Sequence, residues 1–331
     1  MCASPAFVVG LVRLVGVGTA LGSVGMWRER AGLLTGAISD MARDRLVPVR
    51  DVPTRLTILT FHRIESLDEL VEDLGRLRQV STPVSLDQVL AANAGGDPLP
   101  KNAILVTLDD GHHSVVDGGP IFAELAVPAV CFIVSSLIDS STPFWWDEVA
   151  GLTDRGARSE ACPQLAGLDL VNYLKQQPDE QRRAVLAELR TQVNVPIEAR
   201  LMTSTEVRQL VGFGIDMGGH SVTHPLLTQC TDEVLRQEVT DCRAELTALL
   251  GTTPRSFAYP GGQVNDRVEA ATRDAGWEVA FAWDHAMSPF PFPNPHRISR
   301  VKAGMGSGRS RLALLATGRH PSLPPLGGPV R

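Results

Sequence analysis

From residue 55 onward, short apolar runs alternate with stretches in which apolar residues recur every three or four positions. Several runs are apolar at every position, which is typical of strands buried on both faces of a parallel sheet. Strands that alternate with helices indicate βαβ units, so the pattern predicts an α/β fold with a parallel sheet or barrel. The predicted strands are LTILTF (56–61), AILVTL (103–108), VPAVCFIV (127–134), GFGIDMG (212–218), RSFAYP (255–260) and WEVAFAW (277–283).

The clearest predicted helix is TDEVLRQEVTDCRAELTALLG (231–251), whose apolar residues advance by three or four. Thr231 is a suitable N-cap, and Gly251 can end the helix in a left-handed conformation. The stretches 85–96 and 265–276 follow the same pattern. The region from about 139 to 205, which contains PDEQRRAVLAELRTQV, predicts a helical insertion.

The composition is that of an ordinary globular protein, with 331 residues that are 44% hydrophobic and 21% charged. The net charge is −6 and there is no long basic run, which argues against a nucleic-acid partner. The cysteines form no CxxC pair, so a disulfide framework and a structural zinc site are not expected. Length alone does not choose between one large domain and two small ones. The strand pattern places an α/β region, a parallel sheet or barrel, over 55–305, and a Pro/Gly-rich tail over 306–331 follows it.

The N-terminal extension (1–54) contains an apolar, glycine-rich segment at 6–27 that is interrupted by Arg13. A signal peptide would have positive charge before its apolar part, and MCASP has none. Residues 1–50 contain six arginines against three acids, a local charge of +3 within an acidic protein. A plain extension, a peripheral membrane contact through residues 1–50 and export therefore stand as alternatives. A cytoplasmic or peripheral membrane location is favoured over secretion.

Polar residues follow the apolar runs at the points where the predicted strands end. His62 follows LTILTF, Asp109 and Asp110 follow AILVTL, and His220 and His224 come after GFGIDMG. The carboxyl ends of parallel strands gather at one face of an α/β barrel. We therefore expect these side chains to converge from distant positions in the chain.

Each of these residues also has a purely structural interpretation. Asp-Gly is a common turn dipeptide, so Asp109 and Asp110 fit a solvated turn. The four-residue spacing places His220 and His224 on one face of a helical turn that Pro225 must end, either as surface residues or as a metal pair. Two histidines and one carboxylate would make an open three-ligand site for a divalent metal.

Glycines and tryptophans lie beside these motifs. Gly218 and Gly219 precede His220, and we expect them to let the backbone bend sharply there. Trp145 and Trp146, in PFWWDEV, form either a sugar-stacking platform or an anchor for the helical insertion.

Taken together and in this order, LVTLDDG, GGHSVTH and SFAYPGG resemble the motifs of the polysaccharide deacetylases, the NodB-homology group of carbohydrate esterase family 4. The resemblance covers about residues 55–300 and implies a distorted (β/α) barrel. It implies metal-dependent hydrolysis of an N- or O-acetyl group on a glycan. Asp109 would be the general base, and Asp110, His220 and His224 would hold one divalent metal ion. Zinc is the expected ion, with cobalt, nickel and manganese as alternatives.

The third motif departs from the family form RPPYG and reads AYPGG (258–262). Ala258 takes the arginine position and Gly261 takes the tyrosine position. The backbone N–H of Gly261 is still expected to stabilise an oxyanion, because that role needs no side chain. Arg297, in HRISR, is the predicted substitute for the arginine that steadies the base. The expected substrate contacts are Tyr259, Pro260, Trp146 and Arg297.

The general acid has two candidates, because the late Leu-x-His motif of the family is not visible. After residue 301 the only histidine is His320, in the tail. The opening LTFHRI resembles the poly-N-acetylglucosamine deacetylase branch, in which an early strand-end histidine fills this role. The resemblance therefore implies His62 as the acid, and His285, in FAWDHAM, is its competitor.

The predicted function is that of a carbohydrate deacetylase acting on an acetylated glycan, most directly on N-acetyl groups, in bacterial surface-glycan biosynthesis or modification. The altered AYPGG motif suggests one alternative, a non-catalytic glycan-binding relative, although binding alone has no need of Asp109. A non-haem iron oxygenase is the second alternative, because it also uses two histidines and one carboxylate. Oxygenases of that kind usually stand on antiparallel β scaffolds, which the strand–helix alternation disfavours.

Overall fold

The computed structural model describes residues 56–304, 306 and 308–323. The predicted N-terminal extension (1–54), with its membrane and export alternatives, lies outside the described residues, as does the end of the tail (324–331). Among the helices that are described, none is both long enough and apolar enough to cross a membrane.

The sheet consists of parallel strands, and the predicted α/β fold is confirmed. Its order is β7-β6-β5-β4-β3-β1-β8, with β2 pairing beside β3, and the sheet curls into a half-barrel of the distorted (β/α) type. Each long strand is buried throughout or nearly so, as continuous apolar runs require. The strands are β1 (Leu56–Phe61), β2 (Thr82–Pro83), β3 (Ala103–Leu108), β4 (Ala129–Ile133), β5 (Ile215–Gly219), β6 (Ser256–Ala258), β7 (Val279–Phe281) and β8 (Val301–Lys302).

Several of the helices begin at a residue whose side chain caps the helix, as the sequence pattern predicted for the helix after Thr231. Thr231 accepts a hydrogen bond from the Val234 N–H, and Gly251 ends the same helix with a φ of 71°. Ser85 caps its helix in the same way. The helices are α1 (Leu67–Val80), α2 (Leu86–Asn93), α3 (Ser114–Glu124), α4 (Trp145–Asp154), α5 (Gly167–Leu174), α6 (Asp179–Thr191), α7 (Ser204–Gly212), α8 (Asp232–Leu250), α9 (Asp266–Asp274) and α10 (Arg309–Ala316).

Helices α4, α5 and α6 lie between β4 and β5 in the chain, within the region where a helical insertion is predicted. They share an apolar cluster of their own, and we call residues 145–191 the three-helix unit. The buried members of this cluster are Val149, Leu152, Ala157, Cys162, Leu170, Val171, Leu174, Val185, Leu186 and Leu189.

The two glycines before His220 do not make the predicted bend. Gly218 and Gly219 lie inside β5, paired with β4. A Cβ at Gly218 would come within 2.5 Å of the Phe132 ring, and one at Gly219 within 2.5 Å of the Trp277 ring. Glycine is needed here because the strand packs closely on aromatic rings, not because the chain turns.

The predicted Pro/Gly-rich tail begins too early in the chain. Residues 309–316 form α10, which packs on α1 and β1. Its Leu312 and Leu315 are fully buried in the core. The prediction missed this helix because RLALLA is short, although its leucines have helical spacing.

Candidate active site

A cavity of about 530 Å³ lies at the carboxyl ends of the strands, between the sheet and the three-helix unit. This is where the carboxyl ends of parallel strands are expected to build a site. Most of the sequence-predicted residues do converge on it. Those lining the cavity are His62, Asp109, Asp110, Trp146, His220, His224 and Gly261.

Asp109 and Asp110 both reach the cavity because the backbone turns abruptly after β3. Asp110 has a φ of 73° and Gly111 one of 74°, so two successive residues take left-handed conformations. A Cβ at Gly111 would also lie only 3.2 Å from the Ile133 side chain. Glycine therefore suits this position both because of its left-handed backbone and because of the close contact with Ile133. Left-handed backbone at a residue with a side chain is costly, and such strain concentrates at functional sites.

Asp110, His220 and His224 form a group that could hold a metal ion. The Asp110 Oδ1 atom lies 3.3 Å from His220 Nε2 and 3.4 Å from His224 Nε2. One ligand atom from each residue lies within 4.8 Å of the other two. Three nitrogen and oxygen donors that face one point match an open, three-ligand divalent site.

The ring orientation of His220 supports this assignment. Its Nδ1 lies 2.7 Å from the Ala258 carbonyl oxygen at the end of β6, so Nδ1 carries the proton and donates it. Nε2 is then the ring atom on the side of Asp110, where its lone pair could coordinate a metal ion. Without an ion, a protonated Nε2 donates a hydrogen bond to the Asp110 carboxylate. Burial works against ionisation of Asp110, but hydrogen bonds from His220 and His224 hold its pKa well below the usual value.

The loop between the two histidines is not the helical turn that the four-residue spacing predicted. Ser221 and His224 have φ values of 65° and 59°, and the Ser221 hydroxyl accepts the His224 N–H at 3.0 Å. Pro225 excludes helical geometry at His224, and the chain instead folds back through two left-handed residues. The imidazoles meet with ring centroids 4.8 Å apart.

Asp109 is buried and paired with an arginine that the sequence interpretation missed. Arg300 donates from both terminal nitrogens to the Asp109 carboxylate, at 2.7 and 2.8 Å, and from one of them to the Thr107 hydroxyl at 3.0 Å. Burial alone would raise the pKa of Asp109, but the charge and hydrogen bonds of Arg300 outweigh it and hold the pKa below the usual value. Asp109 is therefore ionised beside the group formed by Asp110, His220 and His224.

Arg297, the predicted partner of Asp109, lies elsewhere. It binds Asp266 at 2.8 Å and Glu269 at 2.9 Å on α9. Arg300 stands between Ser299 and Val301, in a stretch of mixed polarity, and only its complete burial in the structure shows that it needs a buried carboxylate as its partner.

Two of the expected substrate contacts also lie outside the cavity. Tyr259 is fully buried, and its hydroxyl donates to the His296 carbonyl oxygen at 2.8 Å. Pro260 is buried next to it. Trp146 remains, because it lines the cavity and packs edge-on against the His224 ring with centroids 4.8 Å apart. Trp283, which was not predicted, is a further aromatic wall.

The two candidate acids differ in position. His62 lines the cavity and packs edge-on against Trp283, with ring centroids 5.0 Å apart. His285 is held at both ring nitrogens, by the Lys302 N–H at 3.1 Å and the Ser322 hydroxyl at 2.8 Å. The structure therefore brings His62, and not His285, to the side of Asp109 and Asp110.

Solved structures with a similar fold include the Streptococcus pyogenes deacetylase PplD in complex with acetate, at 16% identity, a TM-score of 0.55 and coverage of 80% of this chain and 99% of that one. IcaB from Ammonifex degensii is 18% identical, with a TM-score of 0.54 and coverage of 80% of this chain and 97% of that one. A de-N-acetylase from Aggregatibacter actinomycetemcomitans is 17% identical, with a TM-score of 0.56 and coverage of 79% of this chain and 99% of that one. At these identities the likeness concerns the fold.

Sequence comparison identifies the family. A curated relative, the peptidoglycan-N-acetylglucosamine deacetylase of Bacillus cereus, is 26% identical over 105 residues, which cover 30% of this chain and 48% of that protein. The chain thus matches about half the length of this relative. The family model described as polysaccharide deacetylase matches residues 96–280, more than half of the 331 residues. The chain belongs to the polysaccharide deacetylase family.

Proposed function

We propose that this protein is a metal-dependent carbohydrate deacetylase that removes N-acetyl groups from a glycan. One observation carries the proposal: Asp110, His220 and His224 offer ligand atoms that lie within 4.8 Å of one another, in a cavity that is also lined by the arginine-paired Asp109. A non-haem iron oxygenase does not suit the all-parallel sheet. The name of the curated Bacillus cereus relative supports an N-acetyl over an O-acetyl substrate. Modification of bacterial surface glycans is the proposed setting.

Asp110, His220 and His224 would hold one divalent ion, with zinc as the first choice and cobalt, nickel or manganese as alternatives. When bound, such an ion lowers the pKa of a coordinated water and polarises the acetyl carbonyl. Asp109 would take the proton of the attacking water, because its carboxylate is ionised and lines the same cavity. The Gly261 N–H would stabilise the developing oxyanion.

The sugar ring would bind between aromatic walls. Trp146 comes from the three-helix unit and Trp283 follows β7, and both line the cavity. Aromatic faces suit the apolar faces of a pyranose ring, and acetylated glycans are the substrate class that we propose. The early strand-end position of His62 supports a relation to the poly-N-acetylglucosamine deacetylase branch.

His62 would protonate the amine as the carbon–nitrogen bond breaks. We expect His62→Ala to lower kcat for deacetylation by about 10²–10⁴-fold, the usual effect of losing a general acid. His285→Ala should remain close to the parent rate, because that ring is held outside the cavity. The measurement is the steady-state release of acetate by both variants.

An acetyl ester with a good leaving group provides the control, since its departure needs no proton. His62→Ala should cleave this ester with a much smaller deficit than it shows on the amide. An unchanged amide rate in His62→Ala would remove the residue from the mechanism.

Arg300 would keep Asp109 ionised and aligned. In Arg300→Met, burial of Asp109 is no longer opposed by the guanidinium charge, so the pKa of the carboxyl rises. A base with a raised pKa becomes ionised only at higher pH. The acidic limb of the pH profile of kcat/KM should therefore shift to higher pH, by about 1–3 units. Arg297→Met is the matched control, because its partners lie on α9. A shift of equal size in both variants would contradict this role.

The proposed function is tested by acetate release from defined N-acetylated oligosaccharides, with metal analysis of the same sample. Metal-loaded protein should release acetate, and chelation should abolish the release until metal is restored. Glycan binding without acetate release would favour the non-catalytic alternative. Failure to release acetate across a panel of such glycans would overturn the proposal.

A further inference from the structure

The backbone around His224 needs support from outside its own loop. We call residues 220–225 the metal-ligand loop. Its first half pairs with the chain after β4: the His220 N–H donates to the Ile133 carbonyl oxygen at 2.9 Å, and the Ser221 carbonyl accepts the Ser135 N–H at 3.2 Å. The second half, residues 222–225, keeps one contact of this pairing, from the Ser136 N–H to the Val222 carbonyl oxygen at 3.2 Å, and contains His224 at a φ of 59°. Left-handed residues persist only where their surroundings hold them.

Glu238 holds this second half from the side of α8. It is only 5% exposed, and its Oε2 accepts the backbone N–H groups of Val222 and Thr223, each at 2.8 Å. Its Oε1 accepts the Thr223 hydroxyl at 2.5 Å. A buried carboxylate that accepts three hydrogen bonds from two adjacent residues determines where those residues lie.

Arg182 holds the same half-loop from the opposite element, α6 of the three-helix unit. It is 7% exposed and donates to the His224 carbonyl oxygen at 3.2 Å. Its guanidinium lies 4.7 Å from the centre of the Trp145 ring and is paired with Asp179. A guanidinium fixed on an aromatic face and a carboxylate loses little further freedom when it binds a carbonyl.

We propose that Glu238 and Arg182 are positioning residues for His224, and that the three-helix unit is thereby a structural part of the metal site. The inference rests on the proposed function, in that it assumes a divalent ion at Asp110, His220 and His224. Glu238 and Arg182 act through the backbone on either side of His224, by contacts to Thr223 and to the His224 carbonyl. Removing either should let the left-handed backbone relax and carry the imidazole away from Asp110.

The test is the affinity of the metal-free protein for cobalt(II), measured by chelator competition, together with the visible absorption spectrum of the bound ion. Glu238→Met keeps the length of the side chain, Arg182→Met keeps an unbranched apolar stem of shorter length, and both changes remove the hydrogen bonds to the loop. Each should bind cobalt about 10–100-fold more weakly than the parent, the usual effect of losing an outer support of a metal ligand, and the spectrum should change. Glu238→Gln keeps one acceptor oxygen for the Val222 and Thr223 N–H groups, and its amide NH2 can donate to the Thr223 hydroxyl oxygen, so it should restore most of the affinity.

Two matched controls separate this role from general damage. Arg183 binds the same Asp179 as Arg182 does, but it is 60% exposed. Glu233 lies on the same helix as Glu238 and pairs with Arg236 in an exposed position. Arg183→Met and Glu233→Met should bind cobalt as the parent does. Thermal unfolding of each metal-free variant identifies any that fail to fold, and Thr223→Val then replaces Glu238→Met, because it removes one of the same hydrogen bonds.

The outcomes distinguish this inference from the proposed function. If the parent binds cobalt tightly and folded Glu238→Met and Arg182→Met bind it equally tightly, the positioning role is overturned and the deacetylase proposal stands. If Glu238→Gln is as weak as Glu238→Met, hydrogen bonding to the loop is not the cause and the inference fails. If the parent itself binds cobalt no better than His220→Ala does, the proposed metal site fails, and this inference fails with it.

Discussion

Asp109→Asn is expected to lower kcat for acetate release by about 10²–10⁴-fold while leaving the metal content of the protein unchanged. Asparagine has nearly the same size as aspartate but cannot take a proton from water. Asp109 is held by Arg300, and it is Asp110 that faces His220 and His224, so the metal-binding group should survive the change. The measurement pairs steady-state kinetics with metal analysis of the same sample.

The control for this variant is Asp274→Asn, a change at an aspartate that is 76% exposed on α9. It should retain the parent kcat and metal content. Loss of metal from Asp109→Asn, to the same degree as from a variant of a metal ligand, would contradict the division of roles between Asp109 and Asp110.

His220→Ala is expected to lose both the metal and the turnover. His220 is 2% exposed, and its Nε2 lies 3.3 Å from Asp110 Oδ1, so alanine removes one of the three ligand side chains from a buried position. The loss of affinity should exceed the roughly 10–100-fold change typical of removing an outer support. Metal analysis after dialysis and the rate of acetate release at saturating metal measure the two effects.

His285→Ala is the matched control for His220→Ala, because both changes remove an imidazole. The His285 ring is hydrogen-bonded to the Lys302 N–H and the Ser322 hydroxyl, outside the cavity, so its loss should leave the metal content intact. A His220→Ala protein that kept its metal and its rate would place the metal elsewhere and remove the central observation behind the proposed function.

Much of the fold could be predicted because its signals are local. Continuous apolar runs marked the buried strands, and Thr231, Ser85 and Gly251 marked helix ends through interactions with their immediate neighbours. Strand ends were less certain, since β5 begins at Ile215 and not at the first apolar residue of its run. Helix α10 was missed because its apolar pattern is short, and its packing on α1 and β1 is visible only in the structure.

The candidate site likewise contains residues that the sequence could identify and residues that only the structure could identify. The residues of LVTLDDG and GGHSVTH could be selected from the chain because carboxylates and histidines at strand ends carry recognisable chemistry. The arginine that pairs with Asp109 could not be identified in this way. Arg297 and Arg300 are three residues apart in HRISR, and only the packing of the chain shows that the second is buried against Asp109.

The sequence by itself determined the alternation of strands and helices, the helix caps, and the residue types able to bind a metal and move a proton. These properties depend on neighbours within a few positions, so they can be derived from the order of residues. Only the tertiary structure decided which arginine steadies Asp109, how the loop returns His224 to Asp110, and that Glu238 and Arg182 hold this loop. Those contacts join residues far apart in the chain, and they depend on how distant elements pack, which no local pattern encodes.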